Sequence, residues 1–140
     1  MVTIKCENNA EVHVASKSLE RVKLDGLNLH RALLEGKNLR GSSLRNTDLR
    51  GSFLMGADLR DANLTEANLI VASLERADFR GAVLHNARLR WAKLESADLR
   101  GADLTGADLE SADLKNAQYN NETKWPRDID PVVRGAVMVA

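Results

Sequence analysis

Residues 97–111 read Ala97-Asp98-Leu99-Arg100-Gly101, Ala102-Asp103-Leu104-Thr105-Gly106 and Ala107-Asp108-Leu109-Glu110-Ser111, one five-residue phrase stated three times. Working outward, a large apolar or aromatic residue returns at every fifth position from Leu19 to Tyr119, 21 in succession, with Phe79 in register among the leucines. Two residues earlier, Ala fills all 13 positions from Ala57 to Ala117. Asp or Asn often stands between them, as at Asp58, Asn63, Asn68, Asp78 and Asp98.

A period of five excludes the ordinary elements. Five residues of α-helix turn through about 500°, which scatters the leucines around the helix. In one continuous strand an odd period sends successive leucines to opposite faces. Ala and Leu two apart do share one side of a short extended piece. The pattern therefore predicts a three-residue extended segment and a corner, repeated so that Ala and Leu face a common axis. Eight of the nine glycines fall two residues after the central residue, where a corner uses positive φ.

These phrases resemble the pentapeptide-repeat family, whose pattern is Ala-(Asp/Asn)-Leu-X-X. The resemblance covers residues 17–121 and implies an all-β fold, a right-handed quadrilateral β-helix with four pentads per coil. On that basis there are about five coils, stacked at roughly 4.8 Å into a rod about 25 Å tall. Residues 1–16 read as an N-terminal cap, with a strand at Val2, Ile4 and Cys6 and a turn near Asn8-Asn9. Residues 122–140 read as a C-terminal cap, in which Asp130-Pro131 predicts a short helix with Asp as its N-cap. Toward the start, Lys17, Val22, Leu27, Lys37, Ser42, Thr47 and Ser52 replace the inward Ala. Lys37 is the awkward one, because an inward ammonium must be paired or reach solvent.

The chain has 140 residues, with 20 Lys+Arg balanced by 20 Asp+Glu. Zero net charge argues against broad attraction to nucleic acid or anionic membranes, and against a wholly acidic surface. The single Cys6 forms no internal disulfide and no thiolate metal cluster. No long apolar run opens the chain, so the expectation is a cytoplasmic protein with no membrane association.

With 20 residues per coil, Arg40, Arg60, Arg80 and Arg100 form an arginine ladder and Asp58, Asp78 and Asp98 a parallel carboxylate ladder. Mutual neutralisation is the favoured reading, and docking of an anionic partner the other. Asp98, Asp103, Asp108 and Asp113 fall on four different sides and diverge, so they read as turn supports and not as a calcium site. His13, His30 and His85 make no nucleophilic or metal-binding constellation, and no phosphate-cradling loop occurs. No catalytic, cofactor-binding or metal-binding residue is expected. The informative anomaly is apolar residues at outward positions: Leu33 beneath Phe53, Met55 beside it, and Ile70, Val71 and Trp91 at the corner leading into that side. Together they read as a candidate interaction strip along one edge.

The sequence thus points to a non-enzymatic scaffold or protein-interaction module, monomeric or weakly homodimeric, without cofactor and with an unknown protein partner. The alternative is a DNA-mimicking regulator of a type II topoisomerase, a role that the resemblance brings with it. Zero net charge and the outward arginines disfavour it.

Overall fold

In the computed structural model, which covers residues 1–140, the repeat winds into a tower in which each extended residue pairs with the one 20 positions on. Parallel bridges run Lys23–Ser43–Asn63–Val83–Asp103 up the first side and Asn28–Asp48–Asn68–Arg88–Asp108 up the second. Leu33–Phe53–Ser73–Lys93–Asp113 forms the third side, and Asn38–Asp58–Asp78–Asp98–Gln118 the fourth. Four pentads make one coil of a right-handed quadrilateral β-helix. The ladder is regular from Lys23 onward, through the coils where the inward Ala is missing.

Each side exchanges backbone bonds with the coils above and below. Leu54 donates its N–H to Ser73 O at 2.8 Å, and Ser73 donates to Ser52 O at 2.9 Å. Each corner closes with a tight turn, as where Ala57 N–H donates to Leu54 O at 3.0 Å. The third residue of that turn takes positive φ, 66° at Gly56 and 56° at Asn86, which is where turns favour Gly and Asn. Every Asn or Asp just before a central residue supports its corner: its Oδ1 accepts the backbone N–H two residues on, at 3.0–3.2 Å.

The core is the axis itself. The leucines from Leu24 to Leu104 and Phe79 are buried, and so are the alanines beside them. Burial of a leucine contributes about 1.5–3 kcal/mol against about 1–2 kcal/mol of backbone entropy for each ordered residue. The ladder of backbone bonds must therefore carry part of the stability. Where hydroxyls replace Ala, Ser42 Oγ donates to Leu39 O at 2.6 Å and Thr47 Oγ1 to Leu24 O at 3.0 Å. Ser52 Oγ is buried with no partner.

The N-terminal cap is an antiparallel hairpin of β1 (Val2–Lys5) and β2 (Glu11–Val14). It lies against the third side, where Leu33 N–H donates to Lys5 O at 2.7 Å and Glu7 N–H to Arg31 O at 2.9 Å. Ile4, Cys6 and Val14 are buried on the end of the core. Lys37 is exposed: it borders a groove between the first coil, residues 17–19 and the hairpin, and so reaches solvent instead of the axis. Lys17, Lys23 and Lys37 are all exposed at this end of the tower, where lysine discourages the addition of a further strand.

At the other end the ladder runs past residue 121. Asp103 pairs with Lys124, a step of 21 residues, because the corner after Tyr119 holds one extra residue. Thr123 takes the inward Ala place and donates from Oγ1 to Leu99 O at 2.8 Å. Trp125 then stands where the next central residue belongs, edge-on to Tyr119 with ring centroids 5.5 Å apart. Strands β3 (Gln118–Tyr119) and β4 (Val137–Met138) pair in parallel above.

The helix expected at Asp130-Pro131 is absent. Asp130 Oδ1 does accept from Val132 N–H at 3.1 Å, as an N-cap would. Gly135, at φ 89°, closes the turn at once, with Ala136 N–H on Pro131 O and Gly135 N–H on Val132 O. Start and stop signals thus fall within one turn and leave no helix interior. No helix is long and apolar enough to cross a membrane.

Candidate interaction surface

The fourth side carries the charge ladder. Asp58, Asp78 and Asp98 project from the side, and Arg60, Arg80 and Arg100 from the corner after it. Each arginine grips the carboxylate two residues earlier, with Nη2–Oδ2 distances of 2.7 Å in Arg60–Asp58, 2.7 Å in Arg80–Asp78 and 2.6 Å in Arg100–Asp98. It also reaches the carboxylate of the next coil, 3.8 Å from Arg60 to Asp78 and 3.6 Å from Arg80 to Asp98. The result is an alternating chain of charge. Arg40, at its foot, has Asn38 two residues earlier instead of Asp and lies 3.8 Å from Asp61. The Arg60 guanidinium holds the Asp58 carboxyl below the usual carboxylate range. Burial pushes Asp98 up, and the bonds from Arg100 outweigh it, so this carboxyl also lies low. Such a ladder is self-neutralised and offers little net field to a partner.

On the second side Arg50 grips Asp48 in the same way at 2.8 Å, and Arg90 bonds upward to Asp108 at 2.5 Å and Glu110 at 3.0 Å. Asp103, Asp108 and Asp113 lie on three different sides and Asp98 on the fourth. No three His, Cys, Asp or Glu side chains gather where they could hold a metal ion. His13 bonds Thr3 within the hairpin, while His30 and His85 stand at different corners.

The six apolar residues lie on the third side and on the two corners that bound it. Leu33 bridges Phe53 on the third side, and Leu33 lies against the hairpin. Met55 sits at the corner leaving that side, on the opposite margin from Trp91. Phe53 and Met55 are half-buried. Ile70, Val71 and Trp91 stand at the corner entering the third side, where Val71 N–H donates to Arg90 O at 3.0 Å. Val71 is 52% and Trp91 64% exposed.

This corner is unusual for its backbone as well as its exposure. Val71 has φ 60° and Trp91 φ 61°. The other non-glycine residues with positive φ are Asn, Asp, Ser, Arg or Glu. A β-branched and a bulky aromatic side chain are the residues that conformation tolerates least. The period of five alone marks residue 71 and residue 91 as corner positions; their left-handed backbone is what sequence reasoning missed.

Comparison with known proteins agrees with the coil. The sequence profile described as Pentapeptide repeats (8 copies) matches residues 23–61, 62–101 and 82–118. The chain belongs to the pentapeptide-repeat family. Among solved structures it is similar to the pentapeptide repeat protein Rfr23 of the cyanobacterium Cyanothece 51142, with 33% identity and a TM-score of 0.68 over 75% of this chain and 88% of that one. HetL of Nostoc sp. strain PCC 7120, a pentapeptide repeat protein involved in heterocyst differentiation regulation, is 31% identical over 76% of this chain and 49% of its own, with a TM-score of 0.54. QnrB1, a plasmid-mediated fluoroquinolone resistance protein, shares the fold at 22% identity and a TM-score of 0.65, over 73% of this chain and 52% of that one. No functionally curated protein matches the chain.

Proposed function

We propose that this pentapeptide-repeat chain is a non-enzymatic protein-interaction module, a rigid four-sided rod that offers the Ile70–Val71–Trp91 corner to a protein partner. The observation that carries this reading is the pairing of two costs at one place. A left-handed backbone at a residue other than Gly, Asn or Asp costs about 1–2 kcal/mol. Exposing an indole and a valine side by side forgoes burial as well. Gly, Asn or Ser serves the same corner position elsewhere in the tower, so the fold itself needs neither residue. Aromatic anchors of this kind concentrate binding energy at interfaces.

A cytoplasmic location goes with the proposal, since the single buried thiol, Cys6, suits a reducing compartment. Mimicry of DNA finds less support: the carboxylates of the fourth side are bound by arginines, and the chain as a whole is neutral. Affinity capture from host extract tests the proposal. Wild type retains a partner and Trp91→Asn loses it; equal capture by both overturns the reading.

A further inference from the structure

The two columns at this corner are inscribed with a pattern that inverts onto itself. Going up the outer column, Arg50, Ile70, Arg90 and Glu110 follow one another, and the adjacent column has Val71 beneath Trp91, with the slight residues Gly51 and Ser111 at either end. Resting on the reading of this corner as a docking surface, we infer that its occupant is a second copy of the same chain, packed antiparallel, corner to corner.

The geometry is that of a two-fold axis perpendicular to the rod, passing between the coils of Val71 and Trp91. Inversion about it sets Val71 of each copy against Trp91 of the other and Arg50 of each against Glu110 of the other. Gly51 then meets Ser111, with the Arg31 stem, whose head is held by Glu7, packed beside Gly51. Ile70 meets Arg90, whose aliphatic stem covers apolar surface while its head stays with Asp108 and Glu110. Arg50 and Glu110 are both exposed, with side-chain exposures of 52% and 65%, and the Arg50 guanidinium keeps donors beyond the two it gives Asp48. The like-charged Asp48 and Asp108 come level in this register. They lie one position back from the corner, and each is already held by an arginine of its own chain. A parallel pairing would instead bring Arg50 level with Arg50 and Glu110 with Glu110. Both neighbours of the apolar centre therefore select the antiparallel register.

Sedimentation equilibrium over about 10 μM to 1 mM, the range of a small interface, tests the inference. Wild type forms a concentration-dependent dimer. Trp91→Asn, which suits the left-handed corner, abolishes it with a melting temperature equal to or above wild type. Arg50→Glu and Glu110→Arg each weaken self-association about ten-fold or more, since symmetry places two repulsive contacts in each dimer. Mixing these two variants restores the dimer, because both cross-pairs are then opposite in sign. A wild type that is monomeric at 1 mM, or single charge variants that dimerise undiminished, overturns the inference. In the monomeric case, capture of a host protein lost in Trp91→Asn leaves the docking reading standing, and capture unchanged overturns that too.

Discussion

Arg100 holds Asp98 by two teeth, Nε on Oδ1 at 2.9 Å and Nη2 on Oδ2 at 2.6 Å, while Asp98 Oδ1 also accepts the Arg100 backbone N–H at 3.2 Å. One carboxylate thus supports the corner and neutralises the ladder at the same time.

Acid should loosen this arrangement. Asp58 and Asp98 titrate below the ordinary carboxylate range in the folded chain, so the unfolded chain takes up their protons first as pH falls. Their contribution is complete above the unfolded value of about 4 and is lost as pH falls through the lower folded values. The part that these two carboxylates contribute should be constant between about pH 7 and 5, and thermal melts should fall below about pH 4. Asp98→Asn keeps the turn acceptor and removes the charge pair. It should cost under about 1 kcal/mol at neutral pH and give a shallower acid limb, measured by melts across the pH series.

Glu95 behaves in the opposite sense. The facing Asp113 carboxyl, first through their shared hydrogen bond and then through like charge, pushes Glu95 above the usual range, and Glu75 adds to it. The folded chain therefore binds this proton more tightly than the unfolded one, and the repulsion appears as pH rises. Glu95→Gln should raise the melting temperature at pH 7, with the gain gone by about pH 4. No gain at pH 7 would contradict the pairing.

Inward hydroxyls near the start should differ in sign. Ser52→Ala removes a buried hydroxyl without a partner and restores the repeat's own residue, so it should stabilise by about 1 kcal/mol. Thr47→Ala removes a bond to Leu24 O and leaves a small void, so it should destabilise by about 1–2 kcal/mol. Chemical denaturation of both variants beside wild type reads the difference.

At the far end, Arg134 donates from Nη2 to Leu109 O at 3.0 Å and to Ala112 O at 2.7 Å, closing carbonyls that have no further coil above them. Arg134→Ala should lower local stability by about 1.5–3 kcal/mol. Amide exchange should quicken in residues 107–119 and stay unchanged in residues 57–76. Uniform quickening would mean that the cap and the middle open together.

The coil was legible because Leu, Ala, Asp and Gly each answer a separate demand of one corner-and-side unit, and the unit repeats without a gap. The ends were harder. The alternation of Val2, Ile4 and Cys6 signalled one strand, but the return strand Glu11–Val14 carries a weaker pattern. Trp125 continues the central column only after a one-residue slip, which a strict period of five cannot register. Lys37 is costly on the period alone, which marks its position as inward without showing the groove beside the hairpin through which it reaches solvent. The apolar residues are legible in sequence register as one side and its two corners, whereas the left-handed backbone at Val71 and Trp91 is not.

The pairing of each residue with the one 20 positions on makes length change come in fixed quanta. Duplicating a whole coil would lengthen the rod and leave every column intact. Inserting one pentad between Val71 and Trp91 would rotate everything above it by a quarter turn, splitting the Val71–Trp91 corner and both charge ladders while the core stayed continuous. Surface patterns on this chain can therefore be inherited or rearranged independently of its stability, according to whether the added piece holds four pentads or fewer.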